Sequence, residues 1–169
     1  MKKTTKFLAS AAAALALFFT TSASAQTNLG IGVNLGVPTS DAYSFAIGAD
    51  ARLQFDVSKQ VSIPITTGYT HFLGKEIANN IEVPDYGFIP LKGGVKFFFD
   101  QTGSGLYALG ELGAAFGVTN ASGTAFLYSP AVGYSWSNGL DLGVKYEGLS
   151  RDNNNTGQVA LRIAYGFKL

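Results

Sequence analysis

The chain has 169 residues, no cysteine, and twelve basic and eleven acidic residues, so its formal net charge at pH 7 is +1. This near-neutral balance supplies no basic surface for nucleic acid, and the lack of cysteine excludes disulfides, thiol catalysis and thiolate metal sites. Only 14% of the residues are charged and 21 are glycine, a composition that fits strands with one lipid-facing side and would also fit a Gly-rich β-sandwich.

The start of the chain has the pattern of a secretory signal peptide. It starts with three positive residues, Lys2, Lys3 and Lys6. An apolar run at 7–19, too short to span a bilayer, follows, and then a small-residue cleavage site at Ala23, Ser24 and Ala25. The sequence therefore predicts a signal peptide at 1–25 and a mature domain at 26–169, and an uncleaved anchor helix is the alternative. The mature domain has nine basic and eleven acidic residues and no other stretch apolar enough for a transmembrane helix.

Eight segments of the mature domain alternate between large apolar residues and small or polar ones, the period of a β-strand. The last is the clearest, because Val159, Ile163 and Phe167 fall on one face while Ala160 and Arg162 fall on the other. The predicted strands span residues 28–37, 45–57, 61–72, 88–99, 106–118, 126–136, 140–149 and 159–169. Strands of about ten residues suit a tilted crossing of a hydrocarbon layer.

The predicted connections alternate between short and long. The short ones are 58–60, 101–105 and Asn138-Gly139, and the longer ones are 38–44, 73–87, 119–124 and 150–158. Asn-Gly is a strong hairpin signal because both residues tolerate positive φ. This alternation is typical of outer-membrane barrels, in which the longer loops lie outside the cell. Pro130 falls deep in the sixth strand, where we expect it to mark a bulge.

The charged residues test this interpretation, because the strand faces are assigned from the large apolar residues alone. No charged residue falls on an apolar face. Eleven fall on the opposite face: Asp56, Lys168, and the nine that we expect to form a lumenal charge network, Asp50, Arg52, Lys92, Lys96, Glu111, Asp141, Lys145, Glu147 and Arg162. An Arg or Lys facing lipid at mid-membrane costs about 2–4 kcal/mol, whereas a soluble barrel would place its charges outside. The sequence predicts an all-β fold: an eight-stranded antiparallel up-and-down transmembrane β-barrel with a polar lumen.

The turn between the fourth and fifth strands also fixes a side-chain pairing. A hairpin centred near Thr102 and Gly103 places residue 111 opposite residue 94, so we expect Glu111 beside Lys92 and Lys96. Each charge buried in a narrow lumen needs a partner, which favours a lumenal ion network over catalysis.

His71 is the only histidine, so any histidine-dependent mechanism must use it. The phase of the third strand places it on the lipid face near the outer end. Its expected neighbours there are Phe45 and Ile47 on the second strand and Ile89 and Leu91 on the fourth. The serines of neighbouring strands, Ser62, Ser129 and Ser135, are predicted to point inward. A Ser–His pair is therefore not expected, and the sequence predicts no catalytic residue, cofactor site or metal site.

The signal peptide, the rhythm of strands and loops, and the ending Tyr165-Gly-Phe-Lys-Leu169 resemble a known family. The chain is similar to the small eight-stranded outer-membrane proteins of the OmpX and OmpA-transmembrane kind, often called the outer membrane β-barrel domain. The resemblance implies the outer membrane of a Gram-negative bacterium and contact with its lipids, including lipopolysaccharide. It also implies that Tyr165, Phe167 and Leu169 form the signal read by the outer-membrane assembly machinery, although the family more often ends in Phe.

These observations favour a structural or surface-interaction role with a plugged lumen, exerted through extracellular loops. The link 73–87 is the best candidate contact loop, and its extracellular partner is open. Two alternatives remain. The first is a small pore, which requires a water path past the lumenal charges. The second is a lipid A-modifying enzyme, because some similar small barrels use histidine with serine near the outer rim.

Overall fold

The computed structural model describes residues 26–77, 81–119, 123–151 and 154–169, and the predicted signal peptide lies outside the described residues. Ten strands follow in chain order: β1 Thr27–Pro38, β2 Tyr43–Asp56, β3 Val61–Gly74, β4 Glu76–Ile77, β5 Ile81–Glu82, β6 Tyr86–Phe98, β7 Gly105–Thr119, β8 Gly123–Ser135, β9 Leu140–Arg151 and β10 Asn154–Lys168. Eight of them close into an antiparallel barrel in the order β1-β10-β9-β8-β7-β6-β3-β2, and β4 pairs only with β5 in a separate ribbon. The predicted fold class is confirmed.

Most predicted strand boundaries lie within one to three residues of the observed ones. β10 is the exception, because it begins at Asn154 and pairs with β9 as far as Arg151. The first residues of β10 were predicted to lie in the loop 150–158 because they are polar. The ribbon of β4 and β5, within the link 73–87, was also not predicted.

The two ends of the barrel differ, and we name them by their connections. The turn end carries the tight connections 57–60, 99–104 and 136–139, together with the start of β1 and the end of β10. The loop end carries the other links. The predicted Asn138-Gly139 turn is present: Trp136 N–H donates to the Leu140 carbonyl at 2.7 Å, and Gly139 has φ +97°. That φ lies in the left-handed region, which glycine occupies without steric strain.

The prolines interrupt strand pairing without shifting it. The β8–β9 ladder has the same register on both sides of Pro130, from Tyr128 opposite Gly148 to Ala131 opposite Lys145, and Pro130 pairs with Gly110 on β7. The expectation of a bulge at Pro130 is therefore wrong. A missing N–H removes one hydrogen bond but does not by itself insert a residue. The register shifts on the barrel strands lie elsewhere, between Tyr43 and Phe45 and between Gly87 and Phe88.

The outer surface of the barrel is apolar. In β10, Val159, Leu161 and Ile163 are exposed, whereas Ala160 and Arg162 between them are buried. Exposed aromatic residues form a rim at each end, with Phe97, Phe99, Trp136 and Phe167 at the turn end and Phe45, Tyr69, Phe116, Phe126 and Tyr128 at the loop end. Aromatic girdles around an apolar band are the surface of a membrane-spanning barrel. No helix among the described residues is long and apolar enough to cross a membrane.

Candidate functional site

The lumen is the candidate site, because the barrel directs most of its strand charges there. Nine charged side chains, which we call the charge belt, are at most 7% exposed: Asp50, Arg52, Lys92, Lys96, Glu111, Asp141, Lys145, Glu147 and Arg162. Asp56 is half-buried at the turn end, and Lys168 is exposed at the end of β10. An eight-stranded barrel has an interior just wide enough for side chains to fill, so these groups meet across it.

One part of the charge belt centres on Glu147. Its carboxylate lies 2.5 Å from Lys92 Nζ and 3.2 Å from Lys145 Nζ, and it accepts a hydrogen bond from Gln158 at 3.0 Å. Glu111 accepts a hydrogen bond from Thr66 at 2.5 Å and lies 3.4 Å from Arg52 and 3.5 Å from Lys92. Lys92 therefore bridges the two glutamates.

The other part centres on Asp50 and Asp141. Arg162 Nη2 lies 2.6 Å from Asp50 Oδ1, and Arg162 Nη1 lies 3.4 Å from Asp141 Oδ1. Asp141 also receives Lys96 at 2.9 Å and the Tyr107 hydroxyl at 2.8 Å. Lys96 Nζ lies 3.9 Å from the centre of the Tyr107 ring, a cation–π distance.

The expected pairing of Glu111 is partly wrong. Gly94 does pair with Glu111 across the β6–β7 hairpin, and Lys92 lies within ion-pair distance of Glu111. Lys96 instead reaches Asp141 on β9. In a narrow lumen a long side chain meets partners on strands that are not its neighbours, and the hairpin register does not specify those partners.

The loop-end half of the lumen is apolar, which was not predicted from the sequence. A cluster that we call the apolar plug fills it: Ala46, Phe72, Phe88, Ala115, Ala125, Leu127 and Leu149. Phe72 and Phe88 meet edge to face with ring centres 5.7 Å apart, and Tyr43 and Tyr86 pack against the cluster. The available signal was strand parity, since Phe72 shares the phase of Ser62 and Phe88 that of Lys92.

The turn-end half of the lumen contains an open cavity of about 490 Å³, which we call the turn-end vestibule. Three cations of the charge belt line it, Arg52, Lys96 and Arg162, together with the carboxylates Asp56 and Asp141. Asp56 accepts hydrogen bonds from Asn28, Gln54 and Ser62 at 2.7–2.9 Å. The lumen therefore has three layers: plug, belt and vestibule.

His71 lies on the outer face of β3, and among the described residues its ring forms hydrogen bonds with a tyrosine and an aspartate and with no serine. Its Nδ1 lies 2.9 Å from the Tyr69 hydroxyl, and its Nε2 lies 3.1 Å from Asp85 Oδ2 in the link that follows β5. The Gly74 N–H donates to Asp85 Oδ1 at 2.8 Å, and this bond, with that of His71, lowers the pKa of Asp85. The cluster tethers the link to the barrel rim.

The predicted neighbours of His71 are correct on β2 and wrong on β6. His71 pairs with Ile47 on one side and with Gly87 on the other, not with Ile89 or Leu91. The link 73–87 is long, and its length alone does not set the register of the strands that it joins. The three serines lie where they were predicted: Ser62 and Ser129 are buried inside the barrel, and Ser135 lines the turn-end vestibule.

Two further features concern ligands and the end of the chain. Among the described residues, no group of three or more His, Asp or Glu side chains could hold a metal ion. Tyr165, Phe167 and Leu169 are exposed on the outer face, and the rings of Tyr165 and Phe167 meet edge to face at 5.0 Å.

Searches with the sequence found no protein-family model and no curated protein that matches the chain. Solved structures do match. One is Ail, the attachment invasion locus protein of Yersinia pestis, solved in complex with the heparin analogue sucrose octasulfate. It matches with a TM-score of 0.61 at 17% identity, over 85% of this chain and 99% of that one. The N-terminal β-barrel domain of OprF from Pseudomonas aeruginosa has a TM-score of 0.58 at 13% identity, over 85% of this chain and all of that one. A de novo designed transmembrane β-barrel has a TM-score of 0.53 at 20% identity, over 83% and 95%. The chain shares the fold of small transmembrane barrels, both natural and designed.

Proposed function

We propose that the protein is an outer-membrane barrel with a closed lumen, which acts as a structural or surface-interaction protein through its loop end. The observation that carries this proposal is the filling of the lumen by two successive layers, the apolar plug and the charge belt. Phe72, Phe88 and Leu127 in the plug and Glu111 and Glu147 in the belt are each at most 1% exposed. A path for ions would have to displace both layers.

Residence in the outer membrane follows from the exterior of the barrel. An apolar band between two aromatic rims is stable in a bilayer, and a closed barrel leaves no unpaired strand edge in lipid. The predicted signal peptide supplies export, and the surrounding lipids, including lipopolysaccharide, are the partners of the apolar surface. With the turn end in the periplasm, the loop end faces outward.

The outward surface that this orientation presents is acidic. The longer links carry two basic residues, Lys75 and Arg151, and five acidic ones: Asp41, Glu76, Glu82, Asp85 and Asp152. The similar protein Ail has been solved with a sulfated ligand, but an acidic surface repels sulfated chains. We therefore expect the partner of the link 73–87 to be neutral or basic.

Assembly into the membrane is a further part of the proposal. Tyr165 and Phe167 lie on the exposed outer face of β10, and the exposed Leu169 follows the strand, so the assembly machinery could bind all three before the barrel closes. Replacing Phe167 with Ala is expected to lower the amount of assembled barrel in cells, while the purified variant still folds in detergent. Loss of folding in both settings would instead assign Phe167 a structural role only.

Single-channel recording in planar bilayers tests the closed lumen directly. The refolded mature chain is expected to give no steady current, and heat-modifiable gel mobility serves as the control for folding. A steady ion current would show a small pore and overturn the proposal. Cell fractionation tests residence, because recovery as a soluble periplasmic protein contradicts it.

A further inference from the structure

The charge belt is not electrically balanced. It contains five cations and four carboxylates, all at most 7% exposed. The next carboxylate towards the turn end, Asp56, accepts hydrogen bonds from the neutral groups Asn28, Gln54 and Ser62. An excess positive charge in a confined protein interior is unfavourable unless a counter-charge reaches it.

The excess charge falls on Arg52. The shortest ion pairs of the other four cations are 2.5 Å for Lys92, 2.6 Å for Arg162, 2.9 Å for Lys96 and 3.2 Å for Lys145. The ion pair of Arg52 is 3.4 Å long, and its partner Glu111 also serves Lys92 and Thr66. Arg52 is therefore the least neutralised cation of the belt.

Arg52 also lines the turn-end vestibule, a cavity that is open to solvent. Arg52, Lys96 and Arg162 border the turn-end vestibule, whereas Lys92 and Lys145 do not. Asp141 lies on the same wall, but one of its oxygens is taken by Lys96 and the other by Tyr107 and Arg162. The apolar plug closes the opposite end of the barrel, so a solute reaches Arg52 only from the turn end.

We propose that the turn-end vestibule binds one small monovalent anion of the chloride type against the guanidinium of Arg52. Lys96 and Arg162 complete the positive wall, and the Asn28 amide, which gives one of its two N–H groups to Asp56, offers the other nearer the mouth. A single negative charge balances the belt. Asp56 at the mouth disfavours larger and more highly charged anions, which would approach it more closely.

The binding test uses the mature barrel refolded in detergent and ³⁵Cl NMR. The protein is expected to broaden the chloride signal, bromide is expected to compete, and gluconate of the same ionic strength is not. The melting temperature is expected to rise with chloride and saturate. Equal effects of chloride and gluconate would show general screening and overturn the site, and strong competition by phosphate would overturn its preference for monovalent anions.

Arg52→Gln removes the excess charge and leaves every carboxylate of the belt with a cation. It is expected to abolish the broadening, whereas Arg52→Lys is expected to retain part of it. Lys59→Gln, in the exposed turn 57–60 and outside the lining of the vestibule, is the matched control and is expected to behave as the wild type. Broadening that persists in folded Arg52→Gln contradicts the site.

Anomalous diffraction from crystals of the wild-type barrel soaked in bromide gives a second measurement that needs no variant. Density beside the Arg52 guanidinium is expected, and density only elsewhere contradicts the proposal. Failure of both measurements in a barrel that carries no current would remove the anion site and leave the closed-lumen function intact.

Discussion

Two layers of the lumen, the apolar plug and the charge belt, are closed by opposite means. At the loop end, Phe72, Phe88 and Leu127 fill the space with apolar groups that need no partners. In the middle, the charge belt fills it with groups that are stable only because each carboxylate faces a cation. Apolar packing loses stability in proportion to the volume removed, whereas an ion network loses it when a single partner is removed. The same barrel can therefore be probed for both kinds of closure.

The largest effect is expected from Glu147→Ala. The change leaves Lys92 without its shortest ion pair and Lys145 without the ion pair it makes within the belt, which is expected to cost about 3–5 kcal/mol of unfolding free energy. Urea unfolding in lipid vesicles measures it. Glu147→Gln, which keeps the shape and one acceptor, is the control and should lose less. An unchanged stability would mean that water already solvates this layer.

Removing an aromatic side chain tests the other closed layer, the apolar plug. Phe88→Ala is expected to cost about 3 kcal/mol, because it leaves a cavity beside Phe72 and Tyr86. Phe97→Ala, on the lipid side of the same strand, is the matched control and is expected to cost less. Bilayer recordings of Phe88→Ala should remain without current, because the charge belt still closes the lumen. A current would show that the plug alone forms the seal.

A double-mutant cycle sharpens the account of the belt. Glu111→Ala and Lys92→Met are expected to couple by about 0.5–3 kcal/mol, because their side chains form an ion pair. Glu111→Ala and Lys96→Met are expected to add almost independently, since Lys96 pairs with Asp141. Equal coupling in the two cycles would contradict the observed pairing.

The smallest effect is expected at the loop-end rim, where the solvent-exposed carboxylate of Asp85 tethers the link 73–87 to the barrel. The hydrogen bond from Gly74 keeps the pKa of Asp85 below its ordinary value, so the tether contributes above about pH 4 and is lost as the pH falls through that lowered pKa. The amide shift of Gly74 in NMR should follow this titration. Asp85→Asn should remove the titration, and a Gly74 shift that titrates unchanged in this variant would rule out Asp85 as its source.

Much of the barrel could be predicted because its physics is local in sequence. Alternation fixes which face each residue occupies, and the cost of a charge in lipid sorts Lys92, Glu111 and Arg162 to the inside. Tight turns such as Asn138-Gly139 fix the register of adjacent strands. These constraints were sufficient for the strand order, the faces and the Gly94–Glu111 pairing.

What could not be predicted depends on distances across the closed barrel. The partner of Lys96 is 45 residues away in sequence and lies on β9. The tether between His71 and Asp85 depends on the path of a long link, and the register of β3 with β6 depends on it as well. The strand phase was sufficient to predict that Phe72 and Phe88 point inward. The prediction missed them because it considered only the charged and small residues of the lumen.

The seam between β1 and β10 sets the order in which the barrel can form. These strands pair along their length, from Asn28 opposite Lys168 to Pro38 opposite Gln158, although they are the first and last strands in the chain. Such pairing has a very high contact order, and closing so long a loop carries a large entropic cost before any ladder bond forms. Closure of the barrel is therefore expected to come late in folding, and a chain arrested before β10 would remain a sheet with two free edges. A substitution that weakens the final strand should therefore change the rate of folding more than the equilibrium stability.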